Sequence, residues 1–159
     1  MFHIKRIATS NEAATILALI NDGKQQMNAQ GINQWDDSYP NKNVILQDIE
    51  KKQLWVYGSH CEACVTVQKT DHTAFIQRLV VSSHYQRSGI ARFILTDIIQ
   101  QAESEKQVDQ LKISTNNSNS PMQHLLTSLN FIPSRKYRMP GREQFGNFLE
   151  FTYPIRICK

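Results

Sequence analysis

The segment Gln86-Arg87-Ser88-Gly89-Ile90-Ala91 has the composition of an anion site. It follows an apolar run, Leu79-Val80-Val81, and opens an amphipathic stretch that starts near Gly89 and reaches Ala102. A glycine and an alanine two residues apart at a helix start leave the backbone bare. The N–H groups of a first helical turn have no intrahelical partner, so here they can converge on one point with the positive end of the helix dipole behind them. That geometry suits a phosphate or pyrophosphate. The alternative is a small-residue junction that serves packing alone. Cys61-x-x-Cys64 is the other spacing that invites a chemical reading. A zinc site needs a second pair of ligands, which His60 and His72 do not supply. A redox motif should open a helix, whereas Cys64 leads into Val65-Thr66-Val67, a strand pattern. With an odd count of three cysteines, no disulfide framework is expected either. The pair is read as part of a hairpin, and no metal is expected.

The elements that must position these residues follow from periodicity and capping signals. Phe2 to Ala8 reads as a short first strand. Thr9 with Glu12 forms a capping box, and the helix after it carries Ala13, Ile16, Leu17 and Ile20 on one face and ends at Gly31. A loop, GINQWDDSYP, leads to a second helix from about Asn43 to Lys52. Leu54 to Tyr57 and Ala63 to Lys69 form a hairpin, and Thr73 to Val81 is the central strand. After the third helix come a strand from Gln110 to Thr115 and a fourth helix capped by Ser118 or Asn119, with Met122, Leu125, Leu126 and Leu129 as its apolar face. Phe131 to Met139 and Phe148 to Tyr153 are the last strands. The order βααβββαβαββ predicts an α/β sandwich, a mixed and mostly antiparallel sheet of about seven strands flanked by about four helices.

The totals bound the class. One domain spanning residues 1–159, with 40% apolar and 20% charged residues, is that of an ordinary soluble protein. No apolar run is long enough to cross a bilayer and the N-terminus lacks a signal-peptide core, so a cytoplasmic location without membrane partners is expected. The net charge of +4 suits a polyanionic ligand. Nucleic-acid recognition is not expected, because neither zinc-finger nor aromatic RNA-binding signatures occur.

Gln86-x-x-Gly89-x-Ala91 resembles the Q/R-x-x-G-x-G/A signature of the GNAT superfamily of acyl-CoA N-acyltransferases, placed between the fourth strand and third helix as in that family. The resemblance runs from Phe2 to Tyr153. It implies acetyl-CoA as co-substrate and acetyl transfer to a primary amine of a small molecule, amino-acid derivative or peptide. Catalysis would then rest on alignment and on a donor for the carbonyl oxygen. It further implies that strands four and five splay around the cofactor arm. Leu79, Val80 and Val81 would pair with that arm through their backbone, and Gln86, Arg87, Ser88, Gly89, Ile90 and Ala91 would contact the pyrophosphate. Asn119 and Met122, at the start of the fourth helix, would face the arm. The alternatives are a solvated surface role for Arg87 and a pure capping role for Asn119.

Three positions depart from the family pattern. Leu126 stands where a tyrosine often donates a proton to the departing thiolate, Phe75 falls near the place of a frequent basic glutamate, and Asn130 replaces a glycine before Phe131. The proton donor is therefore assigned to Tyr137, beside Arg135, Lys136 and Arg138, with solvent as the alternative. The loop with Trp35, Asp36, Asp37 and Tyr39 is the candidate acceptor site, where aromatic rings and carboxylates would suit a cationic amine, unless it only packs on the core. A GNAT-like module that binds acyl-CoA without turnover is the competing function. A homodimer is the oligomeric form that the resemblance suggests.

Overall fold

The computed structural model describes residues 4–155. The elements are β1 (Lys5–Ile7), α1 (Ala13–Ala29), α2 (Lys42–Glu50), β2 (Leu54–Tyr57), β3 (Ala63–Thr70), β4 (Thr73–Val81), α3 (Ile90–Glu105), β5 (Gln110–Asn116), α4 (Ser120–Ser128), β6 (Ile132–Arg138) and β7 (Asn147–Pro154). Their order is the expected one. Phe2 and His3, expected in the first strand, lie outside the described residues.

The Thr9 N–H donates to Glu12 Oε1 at 3.0 Å, so the capping box is present. It closes a single 3-10 turn that runs into α1. Within α1 the buried face is Ala13, Ile16, Leu19, Ile20 and Gly23, with Leu17 half-buried beside it. This stripe is wider than the expected one because α1 is wedged between α2 and the sheet. Asn41 caps α2, accepting from the Val44 N–H at 3.1 Å. The helix stops at Glu50, short of the expected Lys52, where the backbone turns left-handed (φ 58°).

The seven strands form one sheet in the order β1-β2-β3-β4-β5-β7-β6. Every neighbouring pair is antiparallel except β4 and β5. One core contains Ile16, Ile20, Ile45 and Val56, under α1 and α2. The other contains Ile76, Ile94, Leu95, Leu111 and Leu126, under α3 and α4. Each such side chain, taken fully out of water, stabilises the fold by about 1.5–3 kcal/mol. Among the described residues, no helix is long and apolar enough to cross a membrane.

Strand β4 has two irregularities. Cys64 pairs with Val80 but Thr66 pairs with Gln77, so β4 carries one extra residue between these pairs. Arg78 takes the left-handed conformation there (φ 51°), which costs a non-glycine residue about 1–3 kcal/mol. Because side chains alternate along a strand, the extra residue exchanges the faces. Ala74 and Ile76 belong to the core under α3, whereas Val80 belongs to the core under α1. Leu79 and Val81 take over the α3 side.

The second irregularity is the end of parallel pairing. β4 and β5 pair from Thr73↔Gln110 to Ile76↔Ile113 and no further, although they continue to Val81 and Asn116. Beyond Ile76 the strands part.

Candidate active site

On the α3 side of this parting lies a cleft of about 390 Å³. Its strand wall is Leu79, Val80 and Val81, and its mouth is Gln86, Arg87, Gly89, Ile90 and Ala91. Asn119, Met122 and Leu125 contribute from the α4 side. Gly89 caps α3 in a left-handed conformation (φ 81°), and no atom lies within 4 Å of the point where a Cβ would stand. The backbone therefore favours glycine here, and the space before the first turn of α3 is open. The lining includes two cations, Arg87 and Arg92, and no carboxylate. Ser88 is the exception among the loop residues: it does not line the cleft, and its hydroxyl donates to the Tyr85 carbonyl.

The loop is held by α1. Asp22 accepts from the N–H and the hydroxyl of Ser83, both at 2.8 Å. Burial alone would raise the Asp22 carboxyl, but Ser83 and the Gln26 amide hold it below the usual range. Gln26 donates to the Val81 carbonyl at 3.2 Å and accepts from the Gln86 amide. Asp22 and Gln26 are one turn apart, so a single helix face fixes both the end of β4 and the start of the loop.

Facing the other side of the parting is a groove of about 250 Å³. Its floor is the sheet surface, with Gln77 and Arg78 of β4, Ser114 of β5, Tyr137 of β6 and Glu150 of β7. Trp35 and Tyr39 form its wall from the loop between α1 and α2. Arg78 makes a bidentate pair with Asp48 of α2, at 2.7 and 2.8 Å, and donates to the Tyr39 hydroxyl at 2.8 Å. Burial opposes its charge, yet Asp48 leaves the guanidinium pKa above its ordinary value. The Thr66 hydroxyl also donates to Asp48, at 2.8 Å. This buried set holds the left-handed turn of β4 in place. Arg142 stacks on the Tyr39 ring at 4.0 Å, and the Tyr137 and Ser114 hydroxyls are 2.7 Å apart.

Residues 20–131 match the Acetyltransferase (GNAT) family. The chain belongs to this family. The GNAT fold is similar to that of a GNAT family acetyltransferase from Streptococcus agalactiae, with a TM-score of 0.82 and 22% identity over 99% of both chains. It is also similar to the ribosomal-protein-S18-alanine N-acetyltransferase of Escherichia coli, with a TM-score of 0.77 and 16% identity over 98% of this chain and 96% of the other. A third structure, a GNAT family acetyltransferase from Elizabethkingia anophelis with acetyl-CoA bound, aligns at a TM-score of 0.62 and 20% identity over 74% of this chain and 85% of that one. No curated protein matches the chain.

The residues read from the GNAT signature are thus gathered in one cleft, apart from Ser88, while Trp35, Tyr39 and Tyr137 share the groove. Trp35 is only 9% exposed and packs into the core under α1 as well as bordering the groove. The carboxylates of Asp36 and Asp37 do not line it. Asp36 instead accepts from the N–H and hydroxyl of Ser38 and from the Tyr39 N–H, within its own turn. Leu126 is fully buried, so the cleft face of α4 is Pro121, Met122 and Leu125, none of which carries a proton to donate. Cys61 and Cys64 are free and buried, and burial pushes the Cys61 thiol up to about 11. Asp22, Gln26, Gln34, Asp48 and Arg78 were not read from the sequence as site residues.

Proposed function

We propose that this GNAT protein transfers an acetyl group from acetyl-CoA to the primary amine of a small molecule, amino-acid derivative or peptide, by direct attack in a ternary complex. The observation that carries this reading is the parting of β4 and β5. The cleft uses Leu79 to Val81 and the groove uses Gln77, Arg78 and Ser114, so reactants held in the two hollows meet across one strand.

The cleft suits the cofactor in charge and in the chemistry of its lining. The first-turn N–H groups of α3 and Arg87 bind the pyrophosphate, in front of the open face of Gly89. Leu79, Val81 and Met122 provide apolar lining for the arm, and Asn119 orients it while capping α4 through the Met122 N–H at 3.2 Å. The backbone of Leu79 to Val81, beyond its pairing with β5, supplies amide partners and a donor for the carbonyl oxygen. Bound acetyl-CoA supplies a thioester carbon already activated towards an amine. Water removes the amine proton, and Tyr137 is assigned as donor to the leaving sulfur. Its hydroxyl is bonded to Ser114, the first residue of β5 past the last pair with β4. Tyr39 borders the acceptor through its ring, and Trp35 serves chiefly to pack that wall.

The absence of a proton donor on the cleft face of α4 favours a second reading, a module that binds acyl-CoA without turnover. Thiol release from acetyl-CoA in the presence of a panel of amines separates the two. Release with at least one amine supports transfer. Stabilisation by CoA without release from any amine sinks it and supports the module.

A further inference from the structure

We infer that the acceptor carries a carboxylate besides its amine, and that Arg142 binds this carboxylate. The inference rests on the reading of the groove as the acceptor site. It begins from the groove's charges, which are Arg78, Lys112, Arg135 and Arg142 against the single carboxylate of Glu150. Three of these cations have counter-ions. Arg78 is satisfied by Asp48 from beneath, and Lys112 and Arg135 approach Glu150 at 3.1 and 3.4 Å.

Arg142 differs from them. Its guanidinium lies over the rings of Tyr39, at 4.0 Å, and Phe148, at 5.6 Å, and contacts the Met139 sulfur. Among the described residues it forms no ion pair. Its neighbour Glu143 accepts from the Gly141 N–H instead. Burial pulls the pKa of Arg142 down; Tyr39 opposes this, and the like charge of Arg78 adds to it. A partly desolvated cation beside a second cation is costly until an anion joins it. The planar guanidinium fork matches a carboxylate in two hydrogen bonds.

The remaining features narrow the acceptor further. A groove of about 250 Å³ falls below the ~300–1,000 Å³ of drug-sized ligand sites, so an amino-acid-sized molecule fits better than a longer peptide. Glu150 is already engaged by Lys112, Arg135 and the Ser134 hydroxyl, so the groove offers no free carboxylate to the second ammonium of a polyamine. Transfer to such an acceptor forms an N–C bond and breaks the thioester C–S bond. The amine gives its proton to water, Tyr137 protonates the CoA sulfur and is reprotonated from water, and the products are an N-acetyl carboxylate and the CoA thiol.

The test compares glycine and β-alanine with glycinamide and β-alaninamide, together with 2-aminoethyl phosphate and spermidine, at saturating acetyl-CoA. The wild type should favour acids over amides by about tenfold to a hundredfold in kcat/KM, the range of a charge-assisted hydrogen-bond pair. Arg142→Gln should erase this preference by slowing the acids, while the KM for acetyl-CoA changes by less than about twofold. Arg142→Lys should restore part of it. Equal use of acids and amides by the wild type, or equal losses for both in Arg142→Gln, would overturn the inference. A preference for the phosphate or for spermidine over the acids would overturn it as well. If CoA binds but no amine is acetylated, the transfer reading fails by itself. The carboxylate site is then decided by calorimetric titration of N-acetyl-β-alanine and N-acetyl-β-alaninamide into the CoA complex. An Arg142-dependent preference for the acid supports the site, and none refutes it.

Discussion

The side-chain amide of Asn119 donates to Gln34 Oε1 at 3.1 Å, joining the α1–α2 loop to the start of α4. The same oxygen accepts from the Thr115 hydroxyl at 3.0 Å and from the Asn116 N–H at 3.1 Å. Gln34 lines the groove and Asn119 lines the cleft, so one carbonyl oxygen ties the walls of both hollows to the end of β5.

Gln34→Leu keeps the volume and removes that acceptor, leaving three donors without their partner. Stability in urea should fall by about 1–3 kcal/mol, the cost of buried polar groups left unsatisfied. The KM values for acetyl-CoA and for the amine should both rise. A change in only one of them would show that the two hollows are not coupled through this residue.

Gly89 separates backbone strain from anion binding. Gly89→Ala places a Cβ in open space and should cost about 1–2 kcal/mol of stability through its left-handed backbone, with CoA still bound. Gly89→Glu puts a negative charge where the pyrophosphate must approach and should abolish binding in calorimetry. Wild-type affinity in a folded Gly89→Glu protein would place the cofactor elsewhere.

Asp48 and Arg78 have side chains only 8% and 12% exposed. Asp48→Ala leaves the arginine charge buried without its partner and should cost about 3–5 kcal/mol. Combining it with Arg78→Met should recover part of that loss. If chemical denaturation finds the two substitutions additive, the pair does not act as a unit.

Tyr137→Phe removes the assigned proton donor. It should lower kcat by about 10²–10⁴-fold with the KM for acetyl-CoA little changed. A loss under about threefold would eliminate Tyr137 and leave solvent as the proton source.

The Glu12 carboxyl is held at about 2, first by its hydrogen bond to Arg6, which together with the hydrogen bonds from Thr9 outweighs the penalty of burial. An unfolded glutamate titrates near about 4.3, so the folded state favours the charged form. That stabilisation is complete above about pH 4.3 and disappears as the pH falls towards 2. In thermal melts, the Tm advantage of wild type over Glu12→Gln should shrink across this window and vanish at its lower end. The size of the advantage should be small, because Arg6 is 45% exposed.

What could be read from the sequence depended on how local each signal was. The capping box at Thr9, the left-handed Gly31 and the Gln86 to Ala91 loop are set by residues within one turn of each other. The family resemblance implied a bulged strand, but the position of the bulge was not read, because Thr73 to Val81 reads as one continuous strand. Its trace is Gln77-Arg78, two polar residues in succession where alternation allows one. Asp48 had a trace too, since it is the polar residue three positions after Ile45 on the buried face of α2. Gln34 left none, because its partners are 81 to 85 residues away. The composition of the Trp35 to Tyr39 loop suggested carboxylates facing a cation. Aspartate also closes turns on its own backbone, and Asp36 does so here. Insertion of β7 between β5 and β6 was equally unreadable, because a hairpin made of the last two strands can add to a sheet edge by either member.

The bulge at Arg78 gives β4 something like a reading frame. Removing one residue between Gln77 and Leu79 would leave the composition of the strand almost intact and shift every later side chain to the opposite face. Val80 would leave its place opposite Gly23, where a Cβ on that glycine would come within 2.5 Å of it, and Leu79 and Val81 would turn away from the cleft. Among relatives, a single-residue gap at this point should therefore mark a remodelled acyl site more reliably than several substitutions elsewhere in the strand.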